Sequence, residues 1–136
     1  MTGFLQRLCS NRLLPVAWTL FTIILLCLPG SAFPDENDFN LGGIDQVDKI
    51  VHALLFGGIV LFWGFFWRKQ IYNATLWRKR VLIVMLVSIA IGIAMEYVQL
   101  YFIPSRDFDG YDIIADAGGA VVVALILLWV GAARSV

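Results

Sequence analysis

Residues 81–103 read VLIVMLVSIAIGIAMEYVQLYFI, an apolar run in which Glu96 is the only charged residue. Crossing the hydrocarbon core of a bilayer takes about 20 apolar residues in an α-helix, so this run predicts a membrane-spanning helix. Three other segments have comparable length and composition. They are residues 13–29, 50–67 and 113–133. The sequence therefore predicts an all-α membrane protein, a bundle of four transmembrane helices in one domain that comprises residues 1–136.

The overall composition agrees with a chain that lies in a bilayer. The 136 residues are 60% hydrophobic and 15% charged, with a mean hydropathy of +0.83, whereas about a quarter of the residues in a soluble domain are charged. This argues against a soluble enzyme, a disordered tail and a nucleic-acid-binding module, and the expected partners are membrane lipids. The two cysteines, Cys9 and Cys27, are too few for a disulfide framework.

Charged residues outside the apolar runs separate by sign. The basic ones lie before the first run, between the second and third, and after the fourth: Arg7, Arg12, Arg68, Lys69, Arg78, Lys79, Arg80 and Arg134. The other connections hold the acids Asp35, Glu36, Asp38, Asp45, Asp48, Asp107, Asp109 and Asp112, with Lys49 and Arg106 as bases. Because basic flanks stay in the cytoplasm, both termini are predicted to be cytoplasmic in a multi-pass protein of the inner (plasma) membrane.

The first apolar run has an alternative interpretation. Two arginines, an apolar stretch and then the sequence PGSA at residues 29–32 also resemble a secretory signal peptide that is cleaved after Ala32. Cleavage would leave three spans. The run is longer than the roughly 7–15 residues of a signal core, which favours a retained span.

Polar residues are concentrated near the acidic side of the predicted bundle. A helix rises about 1.5 Å per residue, which places His52, Glu96 and Asp116 at similar depths on three different helices. The intervening loop adds further polar side chains to the same level. The predicted ligand-binding residues are Asp48, Lys49, His52, Glu96, Gln99, Arg106, Asp109, Asp112 and Asp116.

Glu96 is the most informative of these residues, because a charged side chain inside the hydrocarbon costs about 2.5–3.5 kcal/mol on insertion scales. It must be protonated, paired, or exposed to water inside the bundle. Lys49, His52 and Arg106 are its candidate partners. Arg106 is expected first, since its planar guanidinium can bind a carboxylate through two parallel hydrogen bonds.

The charge balance of the predicted site is negative. Lys49 and Arg106 stand against four acids, with His52 undecided; the acids are Asp48, Glu96, Asp112 and Asp116. This disfavours a simple anion site and leaves protonated carboxylates, a bound cation, or a ligand with polar hydrogen-bonding groups and a lipid tail. One histidine with carboxylates could bind a divalent metal, but no four-ligand spacing is visible, so neither a metal nor another cofactor is predicted.

Small residues and helix-ending residues add detail to the expected packing. Ser88 and Gly92, like Ala115 and Gly119, are four residues apart, a spacing that lets helices approach closely in lipid. These pairs predict packing of the third span on the fourth. Pro104 is expected to end the third helix.

Ordered motifs after the first apolar run resemble the VanZ-like family of small bacterial membrane proteins. They are Asp48-Lys49-x-x-His52, Glu96-x-x-Gln99, Arg106-x-x-Asp109-x-x-Asp112 and Gly119. The resemblance covers residues 48–119, and its specificity lies in the order, the loop lengths and the shared membrane side of the motifs. One position departs from the family pattern, which usually has asparagine where this chain has Asp116.

The resemblance implies a limited function. The family is named after an accessory protein of glycopeptide resistance clusters that confers resistance to teicoplanin, an acylated glycopeptide that acts at the outer face of the membrane. A site on the extracytoplasmic side is compatible with such a role. The biochemical activity that the resemblance implies is otherwise undefined.

Two classes of function remain open from the residues alone. In the first, the polar residues recognise an amphiphile such as an envelope lipid or an acylated antibiotic, with His52 and Glu96 as candidate catalytic acid/base groups. No serine or cysteine accompanies His52 in a nucleophile motif, so binding is favoured over catalysis. In the second, the same residues form a buried network that only fixes helix packing or contacts a protein partner.

Overall fold

The computed structural model describes residues 11–29 and 44–133. These residues fold into α-helices joined by short connections. The helices are α1 (Leu13–Leu26), α2 (Ile44–Gln70), α3 (Ala74–Phe102) and α4 (Gly110–Ala133). The predicted all-α class is confirmed for these residues. Several residues used above lie outside the described ones: Arg7, Cys9, Asp35, Glu36, Asp38, Arg134 and the possible cleavage position after Ala32.

Three of the helices are long and apolar enough to cross a membrane, and the matching stretches are Val47–Gln70, Ala74–Phe102 and Gly110–Gly131. They contain or closely overlap the predicted spans, and they begin earlier or end later because the helices continue through their polar flanks. α1 has 14 residues, a length of about 21 Å, which is less than the roughly 30 Å of a hydrocarbon core. Its length alone therefore does not establish a fourth span.

Side-chain caps and a proline define the helix ends near the connections. Asn73 Oδ1 accepts a hydrogen bond from the backbone N–H of Leu76 at 2.9 Å and caps α3. α3 ends at Phe102, as Pro104 predicts. Ser105 then has a φ of 60°, a left-handed conformation that turns the chain sharply toward α4.

α2 packs most extensively on α4, and α3 lies against both. A Cβ at Gly119 would overlap the backbone carbonyl of Ala53, so α2 and α4 approach to backbone contact there. Ser88 Oγ also turns to α2, where it donates to the Phe56 carbonyl at 3.4 Å. The predicted packing of α3 on α4 is confirmed, and Gly92 of α3 lies against Asp116 of α4. Gly119 and the Ser88 hydroxyl instead contact α2.

α1 is held to the other helices by side-chain hydrogen bonds. Trp18 Nε1 donates to the carbonyl of Leu55 at 3.0 Å. At the end of α1, the amide of Gln99 donates to the carbonyl of Leu26 at 3.0 Å. This last bond satisfies a carbonyl that the helix itself leaves open, and it places the end of α1 beside the end of α3.

Candidate functional site

A cluster of buried polar side chains lies at one end of the helices, where α2 begins, α3 ends and α4 begins. We call this end the acidic end. The fully buried members of the predicted ligand-binding set are His52, Glu96, Gln99, Asp112 and Asp116. The partly buried members are Asp48, Lys49, Arg106 and Asp109. All nine predicted residues thus lie on the elements that meet at this end; their role in ligand binding stays a prediction.

His52 and Asp116 form the centre of the cluster. Nδ1 of His52 lies 2.9 Å from Oδ1 of Asp116, and both side chains are 2% exposed. On the other side of the ring, Nε2 lies 3.7 Å from Oδ2 of Asp112. A carboxylate at one ring nitrogen fixes the orientation of an imidazole and leaves the other nitrogen to act. The close contact of α2 and α4 at Ala53 and Gly119 brings these side chains within reach.

A second group of contacts connects the cluster to the loop before α4. Lys49 Nζ lies 3.2 Å from Oδ2 of Asp109 and 3.9 Å from Oδ1 of Asp112. Oδ1 of Asp109 accepts a hydrogen bond from the backbone N–H of Tyr111 at 2.8 Å and so caps α4. The hydrogen bond from Tyr111, with help from the Lys49 ammonium, holds the pKa of the Asp109 carboxyl below its usual value.

Glu96 has a partner that the sequence did not predict. Its Oε2 accepts a hydrogen bond from the backbone N–H of Asp109 at 3.0 Å, whereas Arg106 was the partner expected first. The difference has a physical reason: the loop turns back over the end of α3, so a backbone donor reaches the carboxylate. Residue types alone do not reveal where a loop N–H points. Glu96 thereby fixes the loop to α3.

Two carboxylate oxygens of the cluster lack a hydrogen bond. Within the described part of the chain, Oδ1 of Asp112 and Oδ2 of Asp116 are buried without a hydrogen-bond partner. Oδ2 of Asp116 lies against Gly92, where a Cβ would come within 2.7 Å of it. The sequence did not predict that Gly92 belongs to the site. Its four-residue spacing from Ser88 indicated only a close helix contact. The acceptor excess agrees with the negative charge balance of the site.

One ligand atom from each of Asp48, His52 and Asp112 lies within 4.8 Å of the others, an arrangement that suits a cation. The buried hydroxyls in the described ranges belong to Thr22 and Ser88. Each donates to a helix carbonyl, that of Trp18 at 3.0 Å and that of Phe56 at 3.4 Å. The chemistry that the cluster itself offers is therefore polar recognition, proton exchange or cation binding.

The chain matches no protein-family model, and it has no significant match among curated proteins or solved structures. The likeness to the VanZ-like family therefore rests on the motifs of this sequence alone. The function has to be argued from the acidic end itself.

Proposed function

We propose that this chain is a multi-pass, VanZ-like protein of the inner membrane that binds the polar head group of an amphiphile at its acidic end. The amphiphile is an envelope lipid or an acylated glycopeptide, and binding alters susceptibility to teicoplanin-like antibiotics. The observation that carries the proposal is the buried group of His52, Asp112 and Asp116, since such a group at membrane depth is costly and marks a site rather than a surface.

The orientation that we propose follows from charge. Arg68, Lys69 and residues 78–80 lie at the opposite end of α2 and α3 and favour the cytoplasm. The acidic end then faces the extracytoplasmic side. With α1 as a fourth span, both termini are cytoplasmic. This arrangement supports access for amphiphiles of the outer leaflet.

The surroundings of the cluster suit a ligand with both a polar and an apolar part. Lys49 and Arg106 are partly buried beside the loop and can contact the head group. Large aromatic side chains are exposed at the same end: Tyr97, Tyr101, Phe102, Phe108 and Tyr111. The acyl chains of an amphiphile would lie against these aromatic side chains. Aromatic residues of this kind are typical of the membrane–water interface.

The test uses substitutions that change chemistry with little change in shape. Glu96→Gln keeps an oxygen that can accept the N–H of Asp109, and His52→Gln keeps a polar group near Asp116. We expect both variants to reach the membrane at the parent level yet to lose the change in teicoplanin susceptibility and the co-purifying amphiphile, which mass spectrometry identifies. Asp107→Asn, an exposed loop residue, is the matched control. Parent-like susceptibility and lipid content in both variants would exclude the proposed site.

A structural role is the second candidate, and specific contacts favour it. Glu96 and Gln99 bind backbone groups of the loop and of α1, which are bonds that stabilise packing. If this is their whole role, Gln99→Leu and Glu96→Leu lower the amount of membrane-inserted protein, and susceptibility falls only in proportion to that amount.

A further inference from the structure

Three potential ligand atoms converge at the acidic end. Asp48 and His52 are four residues apart on α2 and therefore share a face, and Asp112 on α4 lies opposite them. Their ligand atoms are within 4.8 Å of one another. The distance of 3.7 Å from His52 Nε2 to Asp112 Oδ2 is close to the roughly 3.4 Å between two ligands of a tetrahedral zinc ion.

The histidine ring is oriented for metal binding by a carboxylate behind it. Nδ1 of His52 is engaged by Oδ1 of Asp116 at 2.9 Å, which leaves Nε2 directed toward Asp112. Histidine ligands of metals almost always have such a partner on their other ring nitrogen, and it fixes both the tautomer and the ring angle.

Asp112 provides an independent observation, because one of its two carboxylate oxygens is buried without a hydrogen bond in the described part of the chain. Its side chain is 7% exposed, and its Oδ1 is buried without a hydrogen-bond partner among the described residues. Lys49 Nζ is 3.9 Å from this oxygen, beyond hydrogen-bond distance, and makes its shorter contact with Asp109 at 3.2 Å. Buried polar atoms of proteins nearly always have a partner. Oδ2 of Asp112 faces His52, and a cation bound by both oxygens of the carboxylate would also give Oδ1 a partner.

We propose that Asp48, His52 and Asp112 bind a divalent first-row transition-metal ion of the zinc type, with Asp116 as the positioning residue for His52. An imidazole nitrogen among carboxylates suits zinc, iron or manganese better than magnesium or calcium, which prefer oxygen ligands only. The inference goes beyond the proposed function, because every ligand belongs to this chain and no amphiphile takes part.

The experiment titrates the full chain, purified in detergent and treated with a chelator, with Co²⁺ as a spectroscopic probe for Zn²⁺. We expect one Co²⁺ per chain with visible absorption bands, displaced by Zn²⁺ and unaffected by excess Mg²⁺. Asp48→Asn and Asp112→Asn weaken binding by more than about tenfold, and Asp116→Asn weakens it by about 10- to 100-fold, as loss of an outer-shell partner does. Asp107→Asn binds like the parent.

Two results would overturn the inference. One is a parent protein that binds no Co²⁺, or binds it only as weakly and loosely as the Asp48→Asn variant. The other is an unchanged Co²⁺ affinity in both Asp48→Asn and Asp112→Asn, which would mean that the ion binds elsewhere on the protein surface. If circular dichroism shows that Asp112→Asn misfolds, the partly buried Asp48 decides alone. These titrations measure the metal ion and not the amphiphile, so their failure leaves the proposed function untouched, and failure of the susceptibility test leaves the metal site untouched.

Discussion

At the acidic end, buried polar side chains contact one another, whereas at the opposite, basic end two arginines lie on aromatic rings. His52, Asp116 and Asp112 lie side by side across two helices with almost no exposure. Arg68 lies 4.8 Å from the ring centroid of Trp77, and Arg80 lies 4.9 Å from that of Trp67. The basic end thus holds its charges at or near the surface, whereas the acidic end buries polar groups in contact with one another.

The two ends differ because a charged group loses more of its hydration on folding when its side chain is short. A long arginine side chain keeps its head in water or at lipid phosphates while its stem covers apolar surface. A short aspartate on a helix face cannot do so and must find its partner inside the bundle. Removal of one residue should therefore affect the acidic end more than the basic end.

The largest expected effect comes from His52→Ala. In this variant Asp116 stays buried, and neither of its carboxylate oxygens has a side-chain hydrogen bond within the described residues. Breaking a buried pair in this way costs about 3–5 kcal/mol. Thermal unfolding in detergent, followed by circular dichroism, measures the loss. The double variant His52→Ala/Asp116→Ala removes both partners and should recover part of the stability. A single variant as stable as the parent would contradict the paired arrangement.

The next effect concerns the close contact of α2 and α4. Gly119→Ala places a Cβ against the backbone carbonyl of Ala53, and because backbone cannot rotate away, we expect a loss near the upper end of the roughly 1–3 kcal/mol that overpacking costs. Gly118→Ala is the matched control, since nothing lies within 4 Å of its Cβ position. Equal melting temperatures for the two variants would refute the backbone contact.

A glycine toward the basic end sharpens the same contrast. The Cβ of Gly64→Ala would meet mainly Cδ1 of Leu127, the end of a flexible side chain. Leu127 can change rotamer, so we expect a loss of about 1 kcal/mol or less. A loss in Gly64→Ala larger than in Gly119→Ala, measured in the same melting assay, would reverse the proposed order of the two ends.

Removal of an arginine from the basic end should matter less. Arg68→Ala removes the partly buried cation from the face of Trp77. Such contacts are worth about 0.5–1 kcal/mol at exposed sites and about 2 kcal/mol when desolvated, which is below the loss expected for His52→Ala. Trp77 itself stays anchored, because its Nε1 donates to the carbonyl of Gly64 at 3.0 Å. Denaturant or thermal unfolding of Arg68→Ala beside His52→Ala gives the comparison directly, and a loss in Arg68→Ala equal to that in His52→Ala would show that the basic end is equally interdependent.

The smallest effect is a pH dependence at Asp109. The pKa of this carboxyl is lowered in the folded protein by the Tyr111 N–H and Lys49. These contacts therefore stabilise the folded protein above the unfolded pKa of about 3.9. Their contribution is lost as the pH falls through the lower pKa of the folded protein. The side chain is 37% exposed, and such pairs contribute less than about 1 kcal/mol. The melting temperatures of the parent and Asp109→Asn should differ at pH 6 and converge toward pH 3; a gap that widens on acidification would give the wrong sign.

Sequence reasoning predicted the features that depend on residue type and period. The three long apolar helices follow from composition, and the stop before Pro104 follows from backbone chemistry. The level at which His52, Glu96 and Asp116 lie follows from the rise of a helix. These arguments need only distances along one helix.

The remainder depends on relations between helices, which the period of a single helix does not encode. The partner of Glu96 is a backbone N–H whose direction is set by the turn at Ser105. Gly119 packs on α2 rather than α3 because of how three helices share space. The grouping of Asp48, His52 and Asp112 likewise appears only when α2 and α4 are placed together.

The fit of Asp116 against Gly92 limits how α3 can move. One turn along the axis of α3, about 5.4 Å, would bring Ser88 or Glu96 to the place of Gly92, and both carry the Cβ for which there is no room beside the Asp116 carboxylate. Axial sliding of α3 is therefore blocked in both directions. An outward tilt of α3 at this end avoids the clash, so opening by tilt is expected ahead of opening by a slide.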